Sequence, residues 1–403
     1  MFAPKWKKEA KLLYKGAKKY IHYKRDLLKE DRIEEIESRR ADLLEAIKAN
    51  DKEKTEEASK QLRNTCEKAL PNFPQQSAWE ENVEVIFVAL VVALGLRAYV
   101  VQPFRIPTNS MQPTLNGINI TETPGYDRPW FGKQVIDFVL RGRSHSRIVA
   151  KNDCRIVTLK DKSWFLFTRT EVGFSDGTKV KIAAPDGEVS RALTAGGVKD
   201  PRTGITHIVN SRTFAKGDTI LEGTIDAGDL VLVDKVSYHF RKPKRGEVFV
   251  FDTRGIPTGG VSPAGMSDQA EGTHYIKRLC GIPGDTLSVN PPNLWVNGKV
   301  AQEPGIQNVI RAEGEYAKRN PDGYMLADRR NAGGYPNGLF SSDRELKLRA
   351  EAPPGMREYA ALGDNTGNSL DSRYWGSVKE FNLAGPALFS LWPITSGHWG
   401  FIR

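Results

Sequence analysis

The alternation of polar and apolar positions divides the chain into three stretches of different rhythm. Up to about residue 70, apolar residues recur at helical spacing in a charged background. Trp6, Leu12, Leu13, Tyr14 and Tyr20 mark a first helix over roughly 5–23, and Ile33, Ile36, Leu43, Leu44 and Ile47 mark a second. A third is expected over 52–70. Residues 71–77, rich in Pro, Asn and Gln, read as a linker. Residues 83–101 are then almost continuously apolar. At 1.5 Å per residue they reach about 28 Å, against a hydrocarbon core of roughly 30 Å. Glu84 and Arg97 lie near the ends, where long side chains reach headgroups, and Trp79 and Tyr99 suit the interfaces. Length and the rarity of charge favour a membrane span over a buried core helix.

Beyond Leu115 the rhythm shortens to strand-like runs such as 155–159, 179–182, 229–234, 246–251 and 274–279, separated by Gly, Asp and Pro. Asn297-Gly298 is a hairpin signal within 294–300. Residues 255–272 look like a flexible loop, and 303–350 read as polar and irregular. The expected architecture is mainly β: a helical region over 1–78, a transmembrane helix with its flanks over 79–102, and a β domain over 103–403.

Charge adds one feature. The 403 residues carry a formal net charge of +10, and the first 25 hold eight Lys and one Arg against Glu9 alone. The first helix is open to two readings: a surface helix on acidic lipid, or one arm of a soluble helical hairpin. The start is basic rather than the apolar core of a cleavable signal. Positive charges flank the apolar segment almost evenly, so orientation rests weakly on the basic start, which favours an inside N-terminus. No nucleic-acid motif accompanies the basic balance. Cys66, Cys154 and Cys280 form no Cys-x-x-Cys pair, and the six histidines form no His-Glu-x-x-His motif, so no metal or other cofactor is expected.

Candidate chemistry concentrates directly after the apolar segment, in FRIPTNSMQPTL at 104–115. Pro107 and Pro113 bracket Ser110 and stiffen the loop, which helps a nucleophile whose attack geometry must be set in advance. A proline-rich linker leaving an anchor is the plainer alternative. A base for Ser110 could be His239 or His274 with Asp371, or it could be Lys277; a third reading has no catalysis. Lys277 lies in the strand-like YIKRL at 275–279, where alternation groups Tyr275, Lys277 and Leu279 on one face and Ile276 and Arg278 on the other.

Four motifs in order after the apolar segment complete the pattern: SMQPT at 110–114, GDLVLV at 228–233, YIKRLCGIPGD at 275–285 and GDNTGNSLDSR at 363–373. Together they resemble bacterial type I signal (leader) peptidases, membrane-anchored Ser-Lys proteases. The resemblance implies a signal-peptidase-like β catalytic domain that cuts preproteins after small residues, Ala-x-Ala-like. It makes Ser110 the nucleophile and Lys277 the general base. Thr108, with the Ser110 N–H, would form the oxyanion hole, and Ser369 would orient the lysine amine. Asp371 and Arg373 would support the site, with Met111 as packing. It further implies a single-pass protein of the bacterial cytoplasmic membrane with its catalytic domain on the outer (periplasmic) side. The partners would be preprotein signal peptides, membrane lipid and the protein export machinery, with no nucleic acid.

The chemistry sets a condition. A lysine base must be neutral, so its reference pKa of about 10.4 must fall by roughly 3 units. Burial achieves that, and a carboxylate in contact would undo it. With only nine residues between Val101 and Ser110, about 30 Å fully extended, the site must stay near the bilayer.

The chain departs from that family in an insert over 116–227, β-like and holding Cys154, either for substrate or partner selection or as a tolerated elaboration. A variable subdomain is expected over 286–362. On the outer side Cys154 and Cys280 would share an oxidising space, which leaves their pairing open. A membrane-anchored scaffold with a degenerate site, and relatives sharing the dyad, are the competing functions.

Overall fold

The computed structural model describes residues 4–70, 78–163, 167–200, 203–256, 273–328, 338–339 and 341–402. The expected linker at 71–77 and most of the expected loop at 255–272 lie outside the described residues. The chain forms two compact units, 1–90 and 91–403.

In the first unit, α1 (Lys5–Lys24), α2 (Glu30–Ala49) and α3 (Lys52–Ala69) pack pairwise. Their core gathers Ala10, Ala17, Ile21, Ile36, Leu43, Ile47 and Leu62. Asn50, in the left-handed conformation, ends α2, and the Asp51 side chain caps α3 by accepting from Lys54 N at 3.1 Å. The apolar side of α1 is spent on this bundle, while Lys8, Lys11 and Lys15 stay exposed. α1 is therefore an arm of a bundle, the second of the two readings above, with a basic outer face.

α4 (Ala78–Tyr99) follows. Residues Glu81–Tyr99 are long and apolar enough to cross a membrane, and none of that stretch is buried.

In the second unit, β1 (Val101–Arg105) leads through the Ser110 loop into the insert. There β2 (Asn119–Glu122), α5 (Phe131–Arg141), β3 (Arg143–Val149), β4 (Cys154–Asp161), β5 (Thr170–Phe174), β6 (Lys179–Ile182), α6 (Asp186–Ala192), β7 (Gly196–Lys199), β8 (Ile205–Asn210), β9 (Thr213–Phe214) and β10 (Thr219–Asp226) follow. They form a three-stranded sheet, β2-β10-β3, and a six-stranded one, β6-β5-β4-β8-β7 with β9 on β4. Both feed one core that includes Ile156, Leu159, Val172, Val189, Phe214 and Leu221. The insert thus has a hydrophobic core of its own, and its two helices interrupt what alternation alone reads as strands.

The chain returns as β11 (Leu230–Asp234), α7 (Ser237–Phe240), β12 (Val248–Asp252) and β13 (His274–Gly281). A small sheet of β14 (Thr286–Asn290), β15 (Asn293–Val296), β16 (Lys299–Val300) and, after α8 (Pro304–Arg311) and α9 (Glu315–Arg319), β17 (Leu346–Lys347) comes next. Residues 303–350 are therefore not irregular throughout: Ile306 and Val309 of α8 are fully buried. Asn297 and Gly298 both take positive φ, as the β15–β16 hairpin requires. β18 (Glu358–Leu362), α10 (Ser372–Trp375), β19 (Val378–Lys379), β20 (Leu383–Trp392) and β21 (Gly400–Phe401) complete the chain.

The main sheet runs β1-β11-β20-β12-β13-β18-β19, with β21 on β20. β18 pairs with β13 and so belongs to this sheet, although it falls inside the 286–362 stretch set apart above. Ile276 and Met111 share one apolar cluster, while Leu279 packs with Phe249 and Phe251 in another, as alternation along β13 predicts. Cys154 and Cys280 sit in two different cores and are free thiols, so the open pairing is decided against.

Candidate active site

The Ser110 loop is held at both ends by the strand that returns from the insert. Ile106 N donates to Asp229 O at 2.9 Å, and the fully buried Asp229 carboxylate accepts from Asn116 N at 2.7 Å. Gly228 allows this approach: a Cβ there would lie 1.8 Å from Ile106 O. Inside the loop, Asn109 Oδ1 accepts from Gly117 N at 3.0 Å. From the far end of the chain, Asn365 N donates to Ser110 O at 3.1 Å, and Asn365 Nδ2 donates to Asn109 O at 3.0 Å. Met111 is fully buried beneath the loop.

β13 carries Lys277 to this loop. Lys277 Nζ lies 2.6 Å from Ser110 Oγ and also donates to Ile276 O at 3.1 Å. Ser110 is 6% exposed and Lys277 4%. Among the described residues no carboxylate bonds the amine, and no histidine bonds Ser110. His239 and His274 are both exposed, neither bonds Ser110, and Asp371 is held by Arg373, so the geometry favours Lys277 over the triad alternative. Burial lowers the Lys277 pKa to about 8; Asp371 and Asp364 pull it up through space, and Arg373 pushes it down. Each of the two acids is paired with an arginine.

Asp371 and Arg373 form one fully buried pair. Arg373 Nε meets Asp371 Oδ1 and Nη2 meets Oδ2, both at 2.8 Å, and Gly363 N donates to Asp371 Oδ2 at 3.0 Å. Burial works to raise the Asp371 pKa, but Arg373 and the Gly363 N–H outweigh it and leave it lowered. A second buried pair was not singled out from the sequence. Arg278 Nε and Nη2 grip the two oxygens of Asp364 at 2.8 and 2.6 Å. Thr114 Oγ1 donates to Asp364 as well, tying the Ser110 loop to this pair. Both residues stand in the quoted motifs, and the mark available in advance was a second charge beside Lys277 in an otherwise apolar strand.

Lys277 Nζ bonds Ser110 Oγ and Ile276 O, and no hydrogen bond joins it to Ser369. Its Oγ is buried without a hydrogen bond, and a Cβ on Gly363 would meet it at 2.2 Å and Ser110 O at 2.5 Å. It packs closely against Gly363, beside the Ser110 carbonyl. Thr108 is exposed, two residues before the nucleophile candidate. Burial pushes the Cys280 thiol up to about 12, so it holds no thiolate at neutral pH. Among the described residues no group of three His, Cys, Asp or Glu side chains is placed to hold a metal ion.

A hydroxyl bonded to a dry amine that ionises near neutral pH is equipped for acyl transfer. A family model described as signal peptidase, peptidase S26, matches residues 79–128 and 210–392. A probable signal peptidase I-2 of Synechocystis sp. is 31% identical over 43% of this chain and 60% of its own length. A signal peptidase I of Leptolyngbya laminosa is 27% identical over 47% of this chain and 73% of its own. A crystal structure of a signal peptidase I from Enterococcus faecalis aligns at 27% identity over 36% of this chain and 97% of its own, with a TM-score of 0.21. Ser110, Lys277 and both buried ion pairs fall inside the matched residues, which make up more than half of the chain, and this protein belongs to the signal peptidase family, peptidase S26.

Proposed function

We propose that this chain is a membrane-bound serine endopeptidase that removes signal peptides from exported preproteins, with Ser110 as nucleophile and Lys277 as general base. The observation that carries it is the 2.6 Å contact between Lys277 Nζ and Ser110 Oγ in a pocket that lowers the lysine pKa. Neutral Lys277 takes the hydroxyl proton as Oγ bonds to the scissile carbonyl carbon. The carbonyl π pair moves onto oxygen. Its return breaks the C–N bond, and the Lys277 ammonium protonates the leaving amine. Water then gives a proton to Lys277 and attacks the ester, and the proton returns to Oγ as the acyl group departs. The Ser110 N–H and the Thr108 hydroxyl are the proposed oxyanion donors, each typically worth about 2.7–4 kcal/mol. Asp371–Arg373 holds the 363–373 segment against the nucleophile, and Met111 packs beneath it.

The substrate is proposed to bind extended, with small residues before the cut. β18 pairs only with Arg278, Leu279 and Gly281, so the His274–Lys277 half of β13 has one side unpaired by any described strand, and β1 ends the sheet. An incoming strand could add there. The proposal puts the catalytic unit on the outer face of the cytoplasmic membrane, where export would deliver its substrates.

The test is incubation of the full chain with a preprotein in detergent. Wild type cuts after a small residue, and Ser110→Ala does not. Continued cutting by a folded Lys277→Ala variant would refute the assignment of the base.

A further inference from the structure

α5 is turned inside out. A surface helix ordinarily presents its apolar stripe to the body and its polar side to water. Here the only buried residue of the helix is an acid, Asp137, which bonds His145 Nε2 at 3.2 Å and Arg141 at 3.4 Å. Together with Lys133 and Arg141 it lines a polar cleft of about 640 Å³ that also borders Gln112 and Asn116 of the Ser110 loop. Phe131, at 79% exposed, faces away with Val135 and Val139, while the half-exposed Phe138 meets the Trp392 ring edge-on at 5.6 Å; Trp130 just before them is 71% exposed.

The helix is fastened at its C-terminal end, and Trp392 covers only the Phe138 end of the apolar face. Trp392 Nε1 donates to Val139 O at 2.7 Å, and Thr395 Oγ1 donates to Leu140 O at 3.0 Å. Gly142 ends α5 at positive φ, where a Cβ would come within 2.6 Å of Pro393. The helix is thus seated at the end of β20. It also falls between the two stretches that match the family model, so it belongs to the insert.

We propose that α5 lies in the membrane interface, with its apolar face among the acyl chains and its polar face turned to the cleft beside the Ser110 loop. Three observations select lipid as the occupant. First, α5 is tied by one sheet to the strand that follows the candidate span: β1 starts two residues after Tyr99 and bonds β11, which bonds β20. Across the sheet β1 and β20 are about 10 Å apart, and the register sets Trp392, where α5 is seated, beside Leu230 and hence Arg105, about 13 Å along β1 from Val101. Second, Arg128 is exposed beside Trp130 at the start of the apolar face, while the one acid of the helix is engaged by His145 and Arg141 on the cleft side, a pattern complementary to anionic headgroups. Third, Trp130 stands at the edge of the face, where an indole suits the headgroup level. Eleven residues make a helix of about 16 Å, too short to span, so it lies in the plane. The insert then adds a second membrane contact that sets how the Ser110 loop meets the bilayer. This consequence rests on the peptidase reading.

The test uses the full chain reconstituted in liposomes containing anionic lipid. With Cys66→Ser removing the one partly exposed thiol, a nitrobenzoxadiazole label is attached at Val135→Cys or, for comparison, at Lys179→Cys on the second sheet of the insert. The label at 135 is expected to be quenched by lipids carrying a nitroxide high on the acyl chain and shielded from aqueous iodide, with the opposite behaviour at 179. Equal iodide quenching at both positions overturns the proposal. Shielding at 135 without quenching by the nitroxide lipids also overturns it, because a second copy or another protein then covers the face. Cleavage of a short soluble peptide by the same samples tests the peptidase reading separately.

Discussion

Lys277 Nζ and Ser110 Oγ stand 2.6 Å apart although 167 positions separate them in the chain. Neither could be assigned a role without the other. A serine with no base is inert, and an isolated buried lysine is a liability to the fold.

The first consequence is a pH profile. Burial lowers the Lys277 pKa to about 8, and only the neutral amine accepts the serine proton. kcat/KM for a short peptide should rise with pH, close to tenfold per unit below that value, and level off above it. A profile flat from pH 6 to 9 would contradict a lysine base.

Stability should follow the same group with a defined sign. The folded value, about 8, lies below the ordinary 10.5, so between those pH values the unfolded chain holds more protons and stability rises with pH. Below about pH 8 the folded state carries a buried ammonium at a cost of up to about 3 kcal/mol. Lys277→Met should therefore be inactive yet more stable than wild type at pH 7, with the gain shrinking toward pH 10. Urea unfolding at several pH values measures this.

The Arg278–Asp364 pair makes a different prediction. Both side chains are wholly buried. Asp364→Asn strands the guanidinium and releases Thr114 from a carboxylate, and should cost about 3–5 kcal/mol. Replacing both residues together, as Arg278→Met with Asp364→Leu, should recover part of that loss. A double variant no more stable than Asp364→Asn in denaturant melts would count against the pair as the cause.

Gly363→Ala tests how closely the site is assembled. The added methyl would meet Ser369 Oγ at 2.2 Å and Ser110 O at 2.5 Å. The 363–373 segment and the nucleophile loop must then separate. Activity should fall by about 10²-fold, as for a displacement of about 1 Å at a reacting group. Peptide turnover, with circular dichroism as a check on folding, reads the result.

Much of this was legible in the chain. The helices of the first unit were marked by spacing alone, with α2 and α3 closing close to the expected ends. The 155–159 and 274–279 runs became β4 and β13, because β-branched and aromatic residues bounded by Gly and Asp leave few other conformations. The stretch read as irregular held α8, where three of eight side chains, Ile306, Val309 and Ile310, supply the apolar anchor and the surrounding core does the rest. The expectation for Ser369 came from a motif. Its position depends instead on how Gly363 lets two backbones meet.

The order of residues alone determined most of the elements, the apolar segment and the candidate reacting groups, because each is written in neighbouring positions, their period or a short motif. Tertiary structure decided how dry Lys277 is, which acids face which arginines, that the insert has its own core, and that α5 turns its apolar side outward. Those are properties of distance and water exclusion between segments a hundred or more residues apart, and no local period encodes them.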